Sequence, residues 1–180
     1  MNTEKDTSDC FVNAKKLEEK GKKHKGLLFV GVNDKKAEEY VQKAKTNLST
    51  CELYRDNGLD YKIPEEWFYT MYYCALAILS KFGVESRSQK CTALFLRYVK
   101  NKELIDYDDE FIDRITVYSD KDVTSDVDER EEARYGATVH NEEIKTKYDL
   151  MMDVCRRCIE QCEEIVFSDQ KLIVPEELCN

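Results

Sequence analysis

The stretch Glu129 to His140, EREEARYGATVH, places two arginines and one of the chain's two histidines within a few residues of each other. An imidazole titrates near neutrality and can take or give a proton, while a guanidinium can hold oxyanions in a bidentate grip. That pairing suits chemistry on an anionic ester. A plainer reading is also open: Arg130 and Arg134 lie one helical turn apart and can pair with Asp126, Glu129 or Glu131, and His140 can sit beside Asn141 at a helix start. Exposed pairs of this kind contribute only ~0–1 kcal/mol each. A second group is Tyr69, Tyr72 and Tyr73, which can offer a stacking face for a base or pack in the core with their hydroxyls reaching the surface.

Metal chemistry has weaker support. Asp120, Asp122, Asp126 and Asp128 lack the glycine and closing glutamate of an EF-hand, so a solvated acidic loop is the expectation. The run CRRCIEQC has no second Cys/His pair at a finger or ribbon spacing. No metal and no cofactor is expected.

These residues must be held by helices. Only six Gly and two Pro interrupt 180 residues, and apolar side chains recur at spacings of three and four, which predicts an all-α fold. Asn33 and Asp34 cap a helix whose apolar side runs Ala37, Tyr40, Val41, Ala44, Leu48 and Cys51, stopped by Asn57 and Gly58. Pro64 with Glu65 and Glu66 opens a second helix. Its residues Trp67, Phe68, Met71, Tyr72, Ala75, Leu76, Ile78, Leu79 and Phe82 cover most of the circumference, so it belongs at the centre.

Ser86 and Gln89 have capping-box spacing before a third helix through Cys91, Leu94, Phe95 and Tyr98. Phe111, Ile112, Ile115 and Tyr118 form a fourth stripe. Ile144, Tyr148, Met151, Cys155, Cys158, Cys162 and Ile165 define the last and longest helix, with its cysteines on the buried seam. The expected organisation is a loosely packed extension over 1–33, a helical bundle of four to five helices over 34–168, and a tail over 169–180. GLLFVGV is expected to lie on the bundle as a connector without a strand partner.

Charge bounds the partners. Residues 1–100 carry 18 Lys and Arg against 14 Asp and Glu, while 101–180 carry 10 against 23, so the halves stand at +4 and −13. The acidic half repels phosphate backbones, and any RNA contact must be local. The eight cysteines do not read as a disulfide framework, which points to a reducing cytoplasm. Met71 to Leu79, the longest strongly apolar run, is about half of the ~20 residues a bilayer requires, so no membrane is expected.

The order of elements resembles the HEPN domains of archaea and bacteria over roughly Asp34 to Val166. The residues that carry the resemblance are Tyr72-Tyr73-Cys74-Ala75-Leu76-Ala77-Ile78-Leu79, Gly83-Val84-Glu85-Ser86 with Ser88 and Lys90, and Arg130, Ala133, Tyr135 and Gly136. The resemblance implies an up-and-down bundle, a homodimer, and pairing with a nucleotidyltransferase as in toxin-antitoxin systems.

Many such proteins are metal-independent endoribonucleases that use an arginine, four to six residues and a histidine, a spacing that Arg134 and His140 meet. Arg130, Tyr135, Tyr72 and Tyr73 are then candidate ligand contacts. Tyr135 departs from the small polar residue those enzymes usually carry after the arginine. The expected role is a nucleotide- or RNA-associated interaction module, with an endoribonuclease acting through Arg134 and His140 as the alternative.

Overall fold

The computed structural model describes residues 3–116, 131 and 141–178. In chain order the elements are α1 (Thr3–Glu19), β1 (Leu27–Phe29), α2 (Asp34–Asp56), a 3-10 turn (Asp60–Lys62), α3 (Ile63–Lys81), β2 (Val84–Ser86), α4 (Gln89–Asn101), α5 (Asp109–Arg114), α6 (Asn141–Val166) and a second 3-10 turn (Glu176–Leu178). The fold is an all-α helical bundle with one two-stranded ribbon.

The predicted caps explain where the helices start and stop. The Asn33 side chain accepts from the Lys36 N–H at 2.9 Å and opens α2, and Gly58 closes it at φ +68. Pro64 lies in the first turn of α3, where its missing N–H costs nothing. The start of α4 departs from expectation. Ser88 is its cap and accepts from the Cys91 N–H at 3.3 Å, because Ser86 is drawn into β2 and its hydroxyl accepts from Thr92 instead.

α3 is the central rod. Trp67, Phe68, Met71, Ala75, Ile78, Leu79 and Phe82 are buried against α2, α4 and α6, and burial of each large side chain contributes ~1.5–3 kcal/mol. On α6, Ile144, Tyr148, Met151, Cys155, Cys158, Cys162 and Ile165 are all buried, the seam the spacing predicts. Phe111, Ile112 and Ile115 are buried on or just after α5, while Tyr118 lies outside the described residues.

Three expectations about the first third of the chain are corrected. Residues 3–29 are not a loose extension: Ala14, Leu27 and His24 are buried, and Phe11 stacks on Phe29 at 4.2 Å. The connector GLLFVGV does have a strand partner, since β1 pairs antiparallel with β2, Leu27 opposite Ser86 and Phe29 opposite Val84. The cysteines are not all thiols, because Cys10 of α1 is bonded to Cys91 of α4 across 81 residues. By the chain-entropy argument a loop of that length restricts the unfolded chain by about 4 kcal/mol.

Two left-handed glycines make a controlled comparison. A Cβ on Gly83 (φ +73) would meet the Gly31 carbonyl carbon at 2.8 Å, whereas a Cβ on Gly58 (φ +68) would meet nothing within 4 Å. Gly58→Ala should therefore cost only the left-handed penalty, about 1 kcal/mol. Gly83→Ala should cost several times that, because backbone must also move; urea unfolding of the two variants checks the ratio.

Candidate functional site

The residues of the arginine–histidine segment, Arg130, Arg134, Tyr135 and His140, lie outside the described residues. Tyr72 and Tyr73 are described, and the structure separates them. Tyr72 stacks on Phe68 at 5.7 Å and belongs to the packing of α3. Tyr73, half-buried, stacks on Tyr40 of α2 with centroids 5.9 Å apart and planes 19° from parallel, and meets Tyr69 at 5.8 Å.

This places three phenols in a row along the α2–α3 seam. The spacing of Tyr69 and Tyr73, one helical turn apart, puts both on one side of α3. Tyr40 reaches them from α2 because α2 and α3 approach closely. The Thr70 hydroxyl lies 3.5 Å from the Ala44 carbonyl, and Ala37 and Ala44 are fully buried. Burial first, then Tyr69, Tyr40 and Glu66 beside it, pushes the Tyr73 phenol above its ordinary pKa.

Lysines stand over this row. Lys43 Nζ is 5.5 Å from the Tyr73 centroid and 5.7 Å from that of Tyr40, and Lys36 Nζ is 5.9 Å from the Tyr40 centroid. All three separations are within cation–π range. An aromatic row under cations offers a face to stack a planar ring and charge to hold an attached anion.

The row continues into a second group that sequence reasoning missed. Lys36 Nζ lies 3.5 Å from Glu85 Oε2, and Glu85 Oε1 also meets His24 Nε2 at 3.1 Å and Arg87 Nε at 3.0 Å. His24 is buried at 2 % exposure, and its Nδ1 has no hydrogen-bond partner among the described residues. The hydrogen bond from His24, with Lys36 and Arg87 nearby, holds the Glu85 carboxyl below its ordinary pKa despite partial burial. The β1–β2 pairing makes this possible by carrying the loop before β1 onto the strand that bears Glu85. A cleft of about 230 Å³ opens beside it, lined by Gly31, Asn33, Lys36, Ser80, Val84 and Glu85 together with Val30.

One signal for His24 was present in the sequence. It is the single imidazole in the first half of the chain, set in the lysine run KGKKHKG between two glycines. The cysteines of α6, by contrast, are consumed by packing. Cys158 Sγ is 3.0 Å from the Tyr107 hydroxyl, Cys162 donates to the Cys74 carbonyl, and desolvation pushes the Cys158 thiol well up. Among the described residues no group of three or more His, Cys, Asp or Glu is arranged to hold a metal, and no helix is long and apolar enough to cross a membrane.

No protein-family model matches the chain, and no curated protein matches it.

The lowered Glu85 pKa has a sign. Its stabilisation is present above the unfolded carboxyl value near 4.5 and is lost as pH falls through the lower folded value. Glu85→Gln should therefore be less stable than the parent at neutral pH, and the gap should narrow below about pH 4.5. Urea midpoints of both proteins across that range test it.

Proposed function

We propose that the chain is a HEPN-like helical bundle that serves as a nucleotide- or RNA-associated interaction module, with the Tyr40–Tyr73 face as its base-stacking surface. One observation carries the reading: two near-parallel, half-buried phenols on neighbouring helices share a lysine, Lys43, within 6 Å of both rings. Aromatic faces accept any base, and the lysine supplies a phosphate contact without sequence discrimination. The local +4 charge of the first hundred residues supports the same reading, because it sits on a chain whose net charge is −9.

The order of motifs along the chain supports the kinship and brings two further parts of the proposal, a homodimer and a nucleotidyltransferase partner. The endoribonuclease reading rests on Arg134 and His140, outside the described residues, and enters as the outcome that would replace the module reading.

The test uses a fluorescein-labelled twelve-nucleotide oligouridylate in EDTA. A stacked base contributes about 1–3 kcal/mol, so Tyr40→Ala and Tyr73→Ala should each weaken binding by about tenfold, with Tyr73→Phe close to the parent and the strand left intact. Equal binding by all variants would remove the stacking face. Cutting of the strand by the parent protein, lost in His140→Ala at unchanged helicity, would replace the module with the nuclease.

A further inference from the structure

The lysine-rich segment between α1 and β1 is unusual in being rigidly mounted. Lys20, Lys22, Lys23 and Lys25 of this segment, with Lys15 and Lys16 near the end of α1, are all exposed, and none has an ion-pair partner among the described residues. A polybasic tail would ordinarily be a solvated, mobile stretch. Here the backbone is fixed at successive points. The Lys22 N–H donates to the Leu17 carbonyl at 3.0 Å and the His24 N–H to Glu18 Oε1 at 3.3 Å. The His24 ring is buried on Glu85. Gly26 is packed so tightly that a Cβ would lie 2.4 Å from the Cys10 carbonyl oxygen, and its own carbonyl accepts from the Arg87 N–H at 3.0 Å. The disulfide from Cys10 to Cys91 anchors the helix beneath.

The mounting also sets where the segment leads. From Lys25 the path crosses Arg87 and Lys36, both held by Glu85, and Lys36 stands over Tyr40, whose ring stacks on Tyr73 under Lys43. Cations therefore recur from the lysine segment to the aromatic row, and of the carboxylates beside them Glu85 is already shared by His24, Lys36 and Arg87, while Glu18 accepts from the His24 N–H and Glu66 lies beside Tyr73.

We infer that the Lys20–Lys25 segment is a phosphate-binding subsite continuous with the Tyr40–Tyr73 face, so that the ligand is a single-stranded polynucleotide longer than one nucleotide. The inference rests on the stacking reading and adds the length and direction of the ligand. A base lies on the phenols, and the following phosphates run over Lys36 and Arg87 towards Lys25, Lys23 and Lys22. Preorganised cations lose little freedom when a strand binds, and each neutralised phosphate releases counterions.

Uridine monophosphate and the twelve-nucleotide oligouridylate are titrated into the full chain over a range of salt, with far-UV circular dichroism as the folding control. The parent should bind the oligonucleotide at least tenfold more tightly than the monophosphate. The triple variant Lys22→Gln, Lys23→Gln, Lys25→Gln should lower the slope of log affinity against log salt by about 2, since each phosphate contact on a single strand contributes about 0.7. Its affinity for the monophosphate should stay unchanged, and the corresponding triple arginine variant should keep the parent slope.

An unchanged slope, or an oligonucleotide bound no better than the monophosphate, overturns the inference and leaves the stacking face standing. Failure of the parent to bind either probe removes the stacking face and this subsite together. Capture on phosphatidylglycerol vesicles without oligonucleotide binding overturns it in favour of a lipid surface.

Discussion

Because α3 carries apolar side chains round most of its circumference, it cannot rest on a surface, and its neighbours are placed by the need to cover it. α2 takes one side through its alanines, α6 another through a seam of isoleucine, methionine and cysteine, and α4 closes the end near Phe82 and Phe95, whose rings meet edge to face at 5.4 Å. The aromatic row is a by-product of this enclosure. Where α2 and α3 converge, Tyr40, Tyr69 and Tyr73 sit at the margin of the covered surface, too large to bury fully and too apolar to leave in water. A margin of that kind is where a ring system can dock with half of its surroundings already built.

The polar groups inside the bundle follow the same logic. Cys155 and Cys162 on α6 donate to the carbonyls of Trp67 and Cys74, and Thr70 donates to the carbonyl of Glu66. These small donors satisfy themselves on nearby main chain and leave nothing free to react. Desolvation pushes the Cys51 thiol up to about 12, far from the thiolate a nucleophile would need. Burial thus makes Cys51 and Cys158 poor nucleophiles, and the charged surface around Glu85 is where polar function can be placed.

Much of this was legible in the chain. Long periodic segments declared α2, α3, α4 and α6 because each helix must bury one stripe or more, and Asn33, Gly58 and Pro64 marked ends by local backbone chemistry. The ribbon was not legible, since three-residue strands are too short to show alternation. Nor was the bond between Cys10 and Cys91, whose meeting is decided by how α1 lies on α4. The capping-box spacing points to Ser86, but β2 claims that residue and the cap falls two positions later on Ser88. Of the stacking face, Tyr73 and Tyr69 could be read from one helix, but Tyr40, Lys36 and Lys43 come from another, and no spacing within a single element announces a partner across a seam. The arginine–histidine segment lies outside the described residues.

The bond between Cys10 and Cys91 also turns the intervening chain into a covalent ring that contains β1, α2, α3 and β2. Tension applied to the two ends of the polypeptide would pass through that link and bypass everything within it. Roughly 280 Å of contour, the reach of 81 residues drawn straight, would stay hidden from a pulling experiment until the sulfurs were reduced. The central rod and the tyrosines beside it are thus shielded from stretching, while α6 bears the load.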